Sequence, residues 1–247
     1  MALQTRRTAW TQAQADAAQI DVGLRQYMLR VYNYMASGLA LTGIFAALVA
    51  GTPAIQAIFF QMTPNGGVAP TLLGWVAIVG PVLMVLGLSF GINRMTARTA
   101  QSLFWVYAAL MGVSLSSLFA VYTGVSITRT FFVTAASFAG LSLWGYTTKR
   151  DLSGFGSFLI MGLFGIIIAS VVNLFLGSSM LQFVVSVIGV FVFAGLTAYD
   201  TQKIKVMYYE ADDSETAGKK AVMGALTLYL DFINLFLMML RFMGDRR

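Results

Sequence analysis

Long apolar runs separated by short polar breaks organise this chain. A helix needs about 20 apolar residues to cross a bilayer. Seven stretches reach that length: Val31–Gly51, Pro70–Phe90, Gln101–Tyr122, Ile127–Tyr146, Phe158–Leu176, Met180–Tyr199 and Ala221–Phe242. The pattern predicts an all-α polytopic membrane protein with seven transmembrane helices. Residues 1–23 are polar and lack the apolar centre of a signal peptide. They are expected to form a cytoplasmic N-terminal tail ahead of a membrane domain at 24–247. Pro81 lies inside the second run and should kink it. The first break, 52–69, is uncharged; its AIQAIFFQM segment reads as an interfacial half-helix or a plain loop. The sixth, 201–220, reads as the one long polar loop.

Composition agrees with this picture. Of 247 residues, 58% are hydrophobic and only 11% are charged, far from the balance of a soluble domain. With no cysteine, disulfides and thiolate metal sites are excluded. With no histidine, any pH response near neutrality falls to carboxylates. The net charge of +6 does not imply nucleic acid, because the basic residues lie in short breaks and never in a run longer than two. They do imply an orientation, since cytoplasmic loops are enriched in Lys and Arg. Twelve fall on the side of the N-terminal tail, at Arg6, Arg7, Arg25, Arg30, Arg94, Arg98, Lys149, Arg150, Lys203, Lys205, Lys219 and Lys220. Four, Arg129, Arg241, Arg246 and Arg247, fall on the other. The N-terminus is therefore expected in the cytoplasm and, after seven crossings, the C-terminus outside. A seventh segment that re-enters would instead return the C-terminus to the cytoplasm.

Candidate chemistry rests on two acids. Asp231 sits in the middle of the last apolar run, where an Asp costs roughly 2.5–3.5 kcal/mol on insertion scales. Residues that expensive usually face a cavity, a partner or an ion path. Asp200 lies at the end of the preceding run; a helix continued through TQKIKVMYY would sink it deeper. Two carboxylates that meet in a dry site cannot both ionise easily, and they titrate as a unit. Such a pair can switch a gate, coordinate calcium through oxygen, or run acid–base hydrolysis. The structural alternatives are an Asp200 paired with Lys203, and an Asp231 serving as a hydrogen-bond hub with Asn234 and Tyr229. Arg94 reads either as a headgroup anchor or as a counter-ion for the Asp200 end of the pair. The acids Glu210, Asp212, Asp213 and Glu215 read as a solvated loop face. Tyr199-Asp200 followed by an acid in the next run suggests an intramembrane aspartyl protease. The second acid, however, sits in Leu228-Tyr229-Leu230-Asp231, without Gly-x-Gly-Asp, and no Pro-Ala-Leu follows. A retinal protein is excluded, because the last run has no lysine.

FAGLTAYDTQKIK (Phe193–Lys205) and LYLDFINLFLMMLRF (Leu228–Phe242) closely resemble signature segments of the Bax inhibitor-1, or YccA-like, family. GYTTKRDLSGFGSFL (Gly145–Leu159) and GINRMTARTAQSLFWVYAALMG (Gly91–Gly112) resemble its bacterial branch, and the likeness runs from about Leu24 to Arg247. The resemblance implies seven helices with the last at the centre, wrapped by the other six. It implies a multi-pass protein of the bacterial inner membrane and a pH-sensitive calcium leak, not an enzyme. Calcium would be the transported ion, with no cofactor. By motif, the proton-sensing and calcium-contacting pair would be Asp200 and Asp231, with Tyr199 and Asn234 as supporting neighbours. Arg94 is the nearest match to a gating arginine. Relatives that pair a seventh-helix arginine with a second-helix acid have no counterpart here, because Pro70–Phe90 holds no acid to meet Arg241. The competing reading is an interaction protein that modulates a membrane-bound ATP-dependent protease or a stress response.

Overall fold

The computed structural model describes residues 2–63 and 68–247, without the side chains of residues 2–21, 62 and 68; of the tail expected at 1–23 it gives a helical backbone from Ala2 onward. Helix α1 spans Ala2–Gly51. After it come a short α2 (Pro53–Phe59) and an antiparallel hairpin of β1 (Phe60–Met62) with β2 (Val68–Pro70). The remaining helices are α3 (Leu72–Gly91), α4 (Ala97–Leu115), a four-residue α5 (Leu118–Val121), α6 (Gly124–Thr147), α7 (Ser153–Leu176), α8 (Ser179–Val206) and α9 (Ser214–Met243). The first break is thus a helix plus a hairpin, folded back so that the Thr71 hydroxyl donates to the Ile58 carbonyl. Pro81 is buried inside α3, which runs on through it.

Helix starts follow from local chemistry. A helix leaves its first N–H groups unpaired, and a Ser, Thr or Asp oxygen satisfies one of them. Thr71, Thr96, Thr123, Ser178 and Asp213 do this for α3, α4, α6, α8 and α9. Helix α7 ends at Gly177, whose left-handed φ of 60° closes the last turn.

Among the described residues six helices are long and apolar enough to cross a membrane: Val22–Gly51 of α1, α3 with the turn after it, α4 with α5, α7, α8 and α9. The protein is a multi-pass, all-α membrane protein. The 24-residue α6 is not among the six; it carries Arg129 as well as Ser126, Thr130, Thr134 and Ser142, the last four all buried. Helix α9 forms the axis: 67% of its most apolar stretch is buried, against 11–39% in the other five. The expected wrapping by six helices is not what is found. Helices α1, α4, α6 and α8 pack on α9, while α3 packs on α4 and α7 on α8 as outer supports.

Close helix approach depends on a few glycines. A Cβ on Gly145 of α6 would run into the Ala198 carbonyl of α8, whereas one on Gly165 of α7 would meet nothing within 4 Å. Gly145→Val should therefore cost about 1–3 kcal/mol by overpacking and visibly lower the melting temperature of the purified protein. Gly165→Ala, measured the same way, should leave it unchanged or slightly raised.

Candidate functional site: a buried carboxylate pair on α8 and α9

The register of α8 against α9 puts the two aspartates together. Gly224 of α9 lies against Ile204 of α8, where an added Cβ would come within 3.1 Å of the Ile204 side chain and force it to give by a few tenths of an ångström. From that level Asp200 is four residues along α8, about 6 Å, and Asp231 seven along α9, about 10 Å, at 1.5 Å per residue. In a helix each Cα–Cβ bond tilts toward its own N-terminus. The helices are antiparallel, so the two side chains lean toward each other and close the remaining offset. The α9 positions Gly224, Leu228, Asp231, Leu235 and Met238 repeat at helical spacing and form the stripe that meets α8. At the other end of the stripe, Met238 fills the space beside Gly189.

Asp200 is 9% exposed and Asp231 5%. Their carboxyl groups lie within hydrogen-bonding reach of each other. Oδ2 of Asp231 finds no donor among the described residues. Two ionised carboxylates hold no proton between them, so a hydrogen bond across the pair forms only when one is protonated. The cation whose charge acts on Asp200 is Lys203, one turn further along α8.

The other residues singled out from the sequence stand apart from the pair. Arg94 ends a single 3₁₀ turn after α3 and is exposed, with no carboxylate partner among the described residues. Tyr199 turns toward α7, where its ring fills the space beside Gly156. Asn234 is half-buried and makes no hydrogen bond to Asp231 among the described residues. The four acids after α8 are not merely a solvated face. Helix α8 continues to Val206 and α9 begins at Ser214, so the long polar loop shrinks to residues 207–213. Asp213 caps α9, and its bond to Thr216 holds its carboxyl below the usual range. Asp212 pairs with Lys220, and Glu215 accepts the Ala97 N–H at 2.6 Å, tying the start of α9 to the start of α4.

Two hydroxyl networks flank the pair, and neither has a sequence signature beyond isolated Ser, Thr and Tyr in apolar runs. In the first, Thr42 of α1 lies 2.6 Å from the Tyr229 phenol and in reach of the Gly38 and Ala108 carbonyls, at 2.9 and 2.8 Å. Its one proton goes to a carbonyl, so Tyr229 donates to Thr42. In the second, Thr201 donates to the Thr197 carbonyl, Ser142 of α6 to Thr201 at 2.9 Å, and Tyr32 of α1 to Ser142 at 2.6 Å. That chain joins three helices and ends on the neighbour of Asp200.

Among the described residues no group of three or more carboxylate, thiol or imidazole side chains gathers to hold a metal. The site therefore offers two carboxylates and nothing else anionic.

The family model described as inhibitor of apoptosis-promoting Bax1 matches residues 24–247. An uncharacterised protein of Rickettsia prowazekii is 52% identical, covering 92% of both chains. The Escherichia coli inner membrane protein YbhL is 48% identical over 93% of this chain and 95% of its own. An uncharacterised membrane protein of Streptococcus pyogenes is 35% identical over 92% and 95%.

The Thr42–Tyr229 bond has an asymmetric consequence. Thr42→Val leaves a buried phenol without an acceptor, which costs about 1–3 kcal/mol. Tyr229→Phe removes the phenol and leaves Thr42 bonded to a carbonyl. In thermal unfolding Thr42→Val should be the more damaging single change, and adding Tyr229→Phe to it should recover part of the loss.

Proposed function

The chain belongs to the Bax inhibitor-1 family of membrane proteins, and from that premise we propose that it is a pH-sensitive calcium leak of the bacterial inner membrane, with Asp200 and Asp231 on the ion path. The observation that supports this reading is a pair of buried carboxylates from two neighbouring helices, one of them with an unmatched oxygen. Calcium takes 6–8 oxygen ligands. Two aspartates provide at most four, so water or backbone carbonyls complete the shell. A site that incomplete binds weakly, and conduction requires an ion to leave as well as enter. Protons and calcium compete for the same oxygens, so acid weakens calcium binding. Arg94 gates, in this reading, only in a state that brings the end of α3 to the pair.

The topology that serves this reading has seven crossings. Helix α6 is counted because its 24 residues lie along α8 and α9. The segment after α9 hydrogen-bonds beside the start of α6: the Thr123 N–H donates to the Asp245 carbonyl, the Arg247 N–H to the Val121 carbonyl, and Arg129 pairs with Asp245 at 3.0 Å. The C-terminus thus shares a face with the start of α6. With a cytoplasmic N-terminus, a periplasm-dependent reporter fused after Arg247 should be active and a cytoplasm-dependent one silent; the opposite result rejects seven crossings.

The ion path is tested in liposomes loaded with a calcium dye. Asparagine keeps the size of aspartate and removes its titration, so it mimics the protonated acid. Asp200→Asn and Asp231→Asn should each make flux at neutral pH resemble that of the unsubstituted protein in acid, and flatten the response to pH. Calcium affinity should fall with acid in the unsubstituted protein and be pH-independent in the double variant. Unchanged flux and pH response in both single variants would leave a scaffold protein as the better reading.

A further inference from the structure

Helices α1 and α6 both lean on α9 but pack little on each other, which leaves a cleft between them. One half is a cavity of about 670 Å³, and a second of about 280 Å³ continues it toward the far end, sharing Leu39, Ala40, Phe131 and Phe232. Alanines line the walls, Ala36 and Ala40 from α1 and Ala135 and Ala139 from α6. The floor is aromatic, with Phe232 of α9 packed edge-on to Phe131 and Phe138 at 5.6 and 5.5 Å between centroids. Polar groups gather at one end, where the cavity is lined by Arg25, Tyr32 and Tyr146. Lys205 joins them there, its Nζ donating to the Tyr146 carbonyl at 2.8 Å and lying 5.1 Å above the Tyr146 ring. Neither Arg25 nor Lys205 has a carboxylate partner among the described residues.

We propose that this cleft is a binding site for one anionic phospholipid, its acyl chain lying between α1 and α6 and its phosphate held by Arg25 with Lys205. Dimensions select the occupant. From Arg25 to Ala40 the cleft runs about 22 Å at 1.5 Å per residue. A volume of about 670 Å³ over that length is a groove narrower than the 10–12 Å of a helix with its side chains. A single hydrocarbon chain fits; a partner helix does not. The length covers one leaflet, half of a hydrocarbon core about 30 Å thick, together with a headgroup. Charge selects the headgroup, because two cations that have no carboxylate partner among the described residues, flanked by tyrosines at one end, match a phosphate at the membrane interface. This site is independent of the ion path, and its test reads lipid and not flux.

The experiment is native mass spectrometry on protein reconstituted with equal phosphatidylglycerol and phosphatidylcholine, then stripped of bulk lipid. The unsubstituted protein should retain a single phosphatidylglycerol in preference to phosphatidylcholine, a result no folding defect can influence. Ala139→Phe and Ala36→Phe, which fill the cleft from opposite walls, should abolish retention. Ile168→Phe on the exposed face of α7 should not. Arg25→Gln should lower the preference for phosphatidylglycerol roughly fivefold, the weight of one basic residue at an anionic surface, while a chain is still held. Melting temperatures identify any variant that fails to fold, and the alanine on the other wall then carries the test. Equal retention in the plugged variants and the Ile168→Phe control would reduce the bound lipid to the general annulus and overturn the site. A dimer whose contacts lie in the cleft, or no headgroup preference in the unsubstituted protein, would overturn it equally.

Discussion

A carboxylate inside a membrane helix has to be covered on every side, and the arrangement of this bundle follows from covering Asp231. An ionisable group facing hydrocarbon is costly enough to dictate which helix goes to the centre. Helix α9 carries that group, and it is the one helix buried on nearly all faces. Four helices pack directly on it, and two more are held outside by α4 and α8. Asp200 arrives from α8 because the glycines at 224 and 189 let the two helices approach at both ends of their contact. The register is then fixed by packing, and the meeting of the two acids follows from the tilt of their Cβ atoms.

Most of the remaining buried hydroxyls obey the same constraint more cheaply, although among the described residues Tyr27, Tyr107 and Thr130 find no partner. In hydrocarbon a hydroxyl must find a partner, and a backbone carbonyl one turn back is always in reach. Thr134, Thr197 and Thr201 each use the carbonyl four residues before them, and Thr42 has the Gly38 carbonyl in reach. That is why α6 can lie among the core helices although its composition falls short of the usual hydropathy of a crossing helix. Its Ser126, Thr130, Thr134 and Ser142 are buried and hidden from lipid, and Arg129 near its start is paired with Asp245, so average hydropathy undervalues the helix.

Much of this was legible in the sequence, and what was not has physical causes. The two aspartates stand out because each breaks an apolar run, a signal that needs no partner to be noticed. The run boundaries at Gly51 and Leu176 match helix ends because polar or glycine residues follow at once. The starts of α9 and α4 extend beyond their apolar runs, because Asp213 and Thr96 cap them and Glu215 supplies an acceptor to Ala97. Capping by a residue more than a hundred positions away leaves no local mark, so the acids after α8 look like a solvated loop. The hairpin at Phe60–Pro70 is hidden for a similar reason, since three-residue strands carry too little alternation to register. Tyr32, Ser142 and Thr201 are ordinary residues in three separate runs; only the fold makes them one network.

The placement of tight and loose packing says where this molecule can move. The α8–α9 contact is locked at Gly224 against Ile204 and at Met238 beside Gly189, and the connection between the helices is only residues 207–213, held by the Asp212–Lys220 pair. Separating the aspartates by sliding these helices would force glycine contacts apart at both ends of the stripe. The boundary between α1 and α6 is different. It contains a cleft, and the hydrogen bond from Tyr32 to Ser142 crosses it at one end. That bond continues through Thr201 to the residue beside Asp200. Parting α1 from α6 breaks little packing between those two helices, although α1 is held by α4 and α9 and α6 by α8 and α9, and it changes the hydrogen bonding of the turn that carries Asp200. The boundary between α1 and α6 is thus joined to the turn carrying Asp200 by hydrogen bonds, whereas α8 and α9, which hold the two carboxylates, are fixed by close glycine contacts.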